Sequence, residues 1–171
     1  EVHTDYHGWT DCWAHGTLYS ETISTFLAQD GGGSESYSYQ ECSGTDDCSL
    51  AGKDGSAILD CGYAEECEVE CKDDAVCTIH GRSEELQAKL RDGASGEVDC
   101  YGIEECTLQC RDSDSRCSFD CTGSEECEAT CEKGASCLLD CTDADECSLK
   151  CEEGPLRHCP GDVWACNRDC P

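Results

Sequence analysis

The spacing of the cysteines constrains this chain more than any other feature. Seventeen of the 21 fall at 42, 48, 61, 67, 71, 77, 100, 106, 110, 117, 121, 127, 131, 137, 141, 147 and 151, so the steps alternate between 6 and 4, apart from two gaps and one step of 7. The pattern is C-x5-C-x3-C with a period of 10 residues. Periodicity of this kind is the mark of one small unit stacked many times.

The gaps keep the frame. Between Cys77 and Cys100, Gly81, Leu86, Leu90 and Gly96 stand where cysteines are due, in a segment that matches Cys121 to Cys141 apart from one deletion. Gly52 and Ala57 do the same between Cys48 and Cys61. The repeat therefore runs unbroken from Cys42 to Cys151.

The middle residue of each C-x3-C is Leu50, Leu59, Val69, Ile79, Ala88, Val98, Leu108, Phe119, Ala129, Leu139 or Leu149, apolar in all eleven cases, and its neighbours are mostly polar. Cysteine, apolar residue and cysteine on one face is the period of a strand. A helix would place its apolar residues three and four apart. Two kinds of arc alternate between the strands. One ends in paired acids: Asp46-Asp47, Glu65-Glu66, Glu84-Glu85, Glu104-Glu105, Glu125-Glu126 and Asp145-Glu146. The other resembles Lys133-Gly134-Ala135-Ser136. The expected fold is all-β: a narrow, two-sheeted parallel β-solenoid of about 20 residues per coil, with disulfide rungs at both edges.

The gaps also bear on connectivity. Pairing across the short strands would orphan Cys48 and Cys61, whereas pairing across the arcs lets absent partners vanish together. Arc pairing predicts Cys42–Cys48, Cys61–Cys67, Cys71–Cys77, Cys100–Cys106, Cys110–Cys117, Cys121–Cys127, Cys131–Cys137, Cys141–Cys147, Cys151–Cys159 and Cys166–Cys170. Cys12 is left over, an intersubunit candidate, because an odd cysteine in a secreted chain suggests intermolecular pairing. Thiolate–metal sites favour C-x2-C, and no two cysteines here are closer than four apart.

Twenty-one cysteines in 171 residues mark a disulfide scaffold. A reducing compartment would not keep it, so an extracellular, secreted location is expected. The chain starts at Glu1 and has 0 Met, which fits a mature form after signal-peptide removal. With 39 acidic against 11 basic residues and a net charge of −28, nucleic acid and anionic membranes are disfavoured partners. No apolar run reaches the ~18 residues of a membrane span. No nucleophile elbow, phosphate loop or H-E-x-x-H occurs, and carboxylates that recur once per coil read as scaffold. No enzyme activity, catalytic residue or organic cofactor is expected.

The paired acids should stack into a carboxylate column. Like charges facing each other are destabilising, and hard cations take carboxylate oxygens. Glu65, Glu66, Glu104, Glu105, Glu125 and Glu126 are therefore candidate weak Ca²⁺ ligands. A solvated, solubilising edge is the alternative.

Residues 1–41 differ in composition. They hold seven of the eleven aromatics, a β-prone stretch at 16–27 and a glycine hinge at 31–33. The segment reads either as an arm that adds to a neighbouring copy or as the N-terminal cap of the solenoid at 42–151. Residues 152–171, with Pro155, Pro160, Trp164 and the last cysteines, read as a C-terminal disulfide cap.

The C-x5-C-x3-C run from Cys42 to Cys151 resembles the cysteine-laddered β-solenoid repeats of secreted or surface proteins in microbes. That resemblance implies a rigid extracellular element and supplies no catalytic residues. The expected function is structural: the subunit of an extracellular filament, self-assembled head to tail through the N-terminal strand. The alternative is a monomeric calcium-binding or adhesive module.

Overall fold

The computed structural model describes the backbone at 2–4, 10–12, 17–18, 21–30, 33–42 and 46–171, and side chains at 38–42 and 46–171. Its strands are β1 (Val2–Thr4), β2 (Thr10–Cys12), β3 (Thr17–Leu18), β4 (Glu21–Asp30), β5 (Gly33–Cys42), β6 (Asp47–Lys53), β7 (Ser56–Asp60), β8 (Glu66–Lys72) and β9 (Val76–His80). They continue with β10 (Glu85–Leu90), β11 (Ser95–Asp99), β12 (Glu105–Arg111), β13 (Arg116–Asp120), β14 (Glu126–Glu132), β15 (Ser136–Asp140), β16 (Glu146–Cys151), β17 (Leu156–Cys159) and β18 (Val163–Cys166).

The chain is an all-β, two-sheeted parallel solenoid of about 20 residues per coil. The short sheet has six strands in the order β16-β14-β12-β10-β8-β6, and the long sheet ten, in the order β17-β18-β15-β13-β11-β9-β7-β5-β4-β3. β1 and β2 form a separate antiparallel pair. Successive coils stack in register, so each side chain lies over its counterpart one coil away. Leu50, Val69, Ala88, Leu108, Ala129 and Leu149 form one inward column. Leu59, Ile79, Val98, Phe119 and Leu139 form the other. All of these are buried. The bulkiest inward residue, Phe119, is followed by the small Ala129, which offsets its volume.

The arcs explain the turn residues. Eight of them close with a hydrogen bond from residue i+3 back to i, as in Ala94 N–H to the Arg91 carbonyl (3.2 Å) and Ser124 N–H to the Cys121 carbonyl (3.1 Å). In the Gly-Ala-Ser arcs both central residues are left-handed, for example Asp92 (φ 55°) and Gly93 (φ 81°). That is the turn type Asp-Gly favours. At the other arcs, the strand-ending Asp60, Asp99, Asp120 and Asp140 each accept an N–H from two residues on, at 2.9–3.0 Å. These carboxylates cap turns.

Eight disulfides are those expected from the gaps: Cys42–Cys48, Cys61–Cys67, Cys71–Cys77, Cys100–Cys106, Cys110–Cys117, Cys121–Cys127, Cys131–Cys137 and Cys141–Cys147. The last two differ. Cys151 bonds Cys166 and Cys159 bonds Cys170, in place of Cys151–Cys159 and Cys166–Cys170. The reason is topological. β18 pairs antiparallel with β15 and sets Cys166 beside Cys137, the place of the next rung, while β17 lies one strand further out and carries Cys159 away from Cys151.

Both ends of the long sheet carry antiparallel strands beyond the coils. β5 pairs parallel with β7 from Tyr37 to Glu41, so the first coil begins within the segment read as arm or cap, and β4 pairs antiparallel along β5. At the other end β18 turns Trp164 toward Leu139, where its partly buried ring packs against the core and stacks on His158 at 4.4 Å. At the β6 edge of the short sheet the Gln40 amide donates to the Ala51 carbonyl (2.7 Å) and accepts its N–H (3.3 Å), as a neighbouring strand would.

Candidate functional site: the acidic edge

The two edges of the solenoid differ in charge. On the edge that leads from long to short sheet, the second acid of each pair opens a short-sheet strand. Asp47, Glu66, Glu85, Glu105, Glu126 and Glu146 therefore stack in register through six coils. The first acids run beside them, zipped by backbone bonds such as Glu85 N–H to the Glu65 carbonyl (2.9 Å) and Glu146 N–H to the Glu125 carbonyl (2.8 Å). The carboxylates thus repeat at the strand spacing, ~4.8 Å. The expected candidates Glu65, Glu66, Glu104, Glu105, Glu125 and Glu126 all lie on this edge, and a shallow groove runs between Glu85, Glu104, Glu105, Glu125, Glu126 and Glu146.

Crowding is felt most at Glu85. Its carboxyl is pushed above the usual range by desolvation first, and then by the charges of Glu105, Glu66, Glu104 and Glu84. Repulsion along the column is left uncompensated at this position.

The opposite edge is neutralised. Lys53, Lys72, Arg91 and Arg111 follow the last inward position in the first four coils, with Asp54, Asp73, Asp92 and Asp112 next to them, and in the fifth Glu132 is followed by Lys133. Ion pairs link the coils: Lys53–Asp73 at 3.6 Å, Arg91–Glu70 at 2.8 Å, Lys133–Asp112 at 3.4 Å and Arg111–Glu132 at 3.9 Å. Glu70 also takes Lys72 at 2.7 Å, and hydrogen bonds from Lys72 and Arg91 hold its carboxyl below the usual range. This ladder was readable as a basic residue before an Asp in successive coils, a signal masked by the stronger acidic one.

Coordination geometry separates the column from a ready-made metal cage. Among the described residues, the groups of three ligand-type atoms within 4.8 Å of one another are Cys42, Cys48 and Cys67, and Cys100, Cys106 and Cys121. All six sulfurs are in disulfides, so none is a thiolate ligand. The carboxylates line up along the axis instead of converging, an arrangement suited to loosely held, hydrated cations. Cys12 lies in β2, and its side chain is outside the described residues.

Ten disulfides belong to an oxidising, extracellular setting. No helix among the described residues is long and apolar enough to cross a membrane. No protein-family model, curated protein or solved structure matches the chain, so its fold and chemistry rest on its own residues.

Proposed function

We propose that the chain is a secreted structural protein, the subunit of an extracellular filament that grows head to tail through its N-terminal strand. One observation carries this reading: the same sheet has an open edge at each end. Among the described residues, β3 covers β4 only at Glu21–Thr22, leaving Ile23–Asp30 open. β17 is the outermost strand at the far end.

Strand direction supports the joint. β17 runs parallel to the coil strands, being antiparallel to β18, itself antiparallel to β15. β4 runs antiparallel to them. Two copies pointing the same way therefore present an antiparallel pair. Ile23 to Ala28 contains no charge and no proline, the devices by which proteins ordinarily blunt an edge. Such a contact is heterologous, and it propagates.

Electron microscopy of the purified protein at rising concentration tests this. Filaments should show an axial repeat of roughly 45 Å, the depth of about nine stacked strands. If Cys12 seals the joint, non-reducing electrophoresis gives a ladder of multimers that Cys12→Ser abolishes. Monodisperse single particles at all concentrations would dismiss the filament.

The acid column supports a second reading, a monomeric calcium-binding or adhesive module. Calcium should then raise the melting temperature more than sodium chloride does at equal ionic strength. Equal effects would reduce the column to a solubilising surface.

A further inference from the structure

On the acidic edge the sulfurs of neighbouring rungs come within 4.8 Å of one another. Cys67 Sγ lies within 4.8 Å of both sulfurs of Cys42–Cys48, and Cys121 Sγ within the same reach of both sulfurs of Cys100–Cys106. Both groups are on the acidic edge. That column is interrupted once: Leu86 stands in register between Cys67 and Cys106, with Gly81 in place of its partner. The break leaves Cys42–Cys48 and Cys61–Cys67 on one side, and Cys100–Cys106, Cys121–Cys127 and Cys141–Cys147 on the other.

On the opposite edge Cys71–Cys77 has no sulfur neighbour. Gly52 and Leu90 flank Cys71, and Ala57 and Gly96 flank Cys77.

We propose that the acidic-edge cystines form two exchange stacks, within which a thiolate migrates from rung to rung. The step is disulfide exchange. With Cys121 unpaired, its thiolate attacks Cys100 Sγ, a Cys121–Cys100 bond forms, the Cys100–Cys106 bond breaks, and Cys106 leaves as the new thiolate. One disulfide is consumed and one is made, so no oxidant or reductant is needed. Neighbouring strands lie ~4.8 Å apart, inside the Cα separation that a disulfide spans. These cysteines are buried, Cys100, Cys106 and Cys121 at 0 % exposure, which denies an external thiol the same access. While the ladder is incompletely oxidised during folding, the stack returns cross-rung bonds to the arc-bridging pairs without an outside catalyst. Leu86 confines each correction to its own half.

Serine variants supply the starting thiolate. Cys127→Ser frees Cys121, Cys61→Ser frees Cys67, and Cys77→Ser frees the isolated Cys71. Each is held folded near the ordinary thiol pKa, about pH 8.5, then acid-quenched, alkylated and mapped by mass spectrometry. Label should be lost from Cys121 and gained at Cys100 and Cys106, and lost from Cys67 and gained at Cys42 and Cys48, while in Cys77→Ser it stays on Cys71. Label fixed on Cys121 and Cys67 overturns the proposal. So does label spreading in Cys77→Ser, which means general scrambling. Circular dichroism checks the fold. Should the variants not fold, wild-type protein opened with one equivalent of a phosphine gives the same readout: Cys121 bonded to Cys100 or Cys106 supports the stack, and native pairs alone refute it.

Discussion

Gly96 shows how little room the rungs leave. A Cβ there would lie 2.3 Å from the Cys77 carbonyl oxygen and 3.1 Å from a Leu90 methyl. The first neighbour is backbone in the paired strand β9 and cannot move aside cheaply. Gly96→Ala should therefore destabilise by about 1–3 kcal/mol, the range for overpacking a filled core, measured by denaturant unfolding with disulfides intact. Ser115 is the converse case. It shares the inward arc position with Ala75, Ala94 and Ala135, all at 0 % exposure, and its hydroxyl has no hydrogen-bond partner. Ser115→Ala restores the alanine column and should stabilise by about 1 kcal/mol, the cost of an unmade buried bond. Both positions were visible as periodic slots in the sequence. Which of them is overfull, and which holds an orphan hydroxyl, depends on distances that periodicity does not carry.

Among the elements, the acidic column and the ion-pair ladder respond oppositely to protons. Glu85 is held above its unfolded pKa, so the folded protein binds more protons there, and stability rises as pH falls through its titration. Glu70 is held below its unfolded pKa, so its contribution is present at higher pH and is lost as pH falls through the lowered value. Melting temperature should therefore peak in weak acid. Glu85→Gln should raise it at neutral pH and flatten the alkaline side of the profile; an unchanged profile would mean that the column feels no internal repulsion. The coils themselves were legible because the middle inward residue is apolar in all eleven strands, and a missing cysteine always took its partner with it. The C-terminal cap was not. After Cys151 the ten-residue frame stops, and a hairpin that inverts the spatial order of Cys159 and Cys166 leaves no mark in their spacing. Gln40 was equally silent: nothing local distinguishes a glutamine that pairs with a strand edge from one that faces water.

For the whole molecule, a charge of −28 is spread unevenly, with one edge neutralised and the other bare. Screening should matter accordingly. The Debye length falls from about 30 Å at 0.01 M salt to about 8 Å at 0.15 M, and the acidic column has its neighbours well inside the longer distance. Melting temperature should rise over that range, as scanning calorimetry would register; a fall would imply that the ion-pair ladder outweighs the column. End-to-end assembly should strengthen with the same addition of salt, since each joint brings two strongly anionic bodies together.

Confining the extra antiparallel strands to the two ends of the long sheet leaves the interior coils interchangeable. Each touches only the coil before and the coil after it, and neither terminus senses how many lie between. Length is thus quantised in steps of about twenty residues. Excising Tyr101–Cys121 would bring Cys100 up to Thr122 in phase and let it bridge Cys127, giving a shorter molecule with the same two ends. The natural ruler of such a design is the coil, and spans of different reach can be cut from one pattern by changing a count.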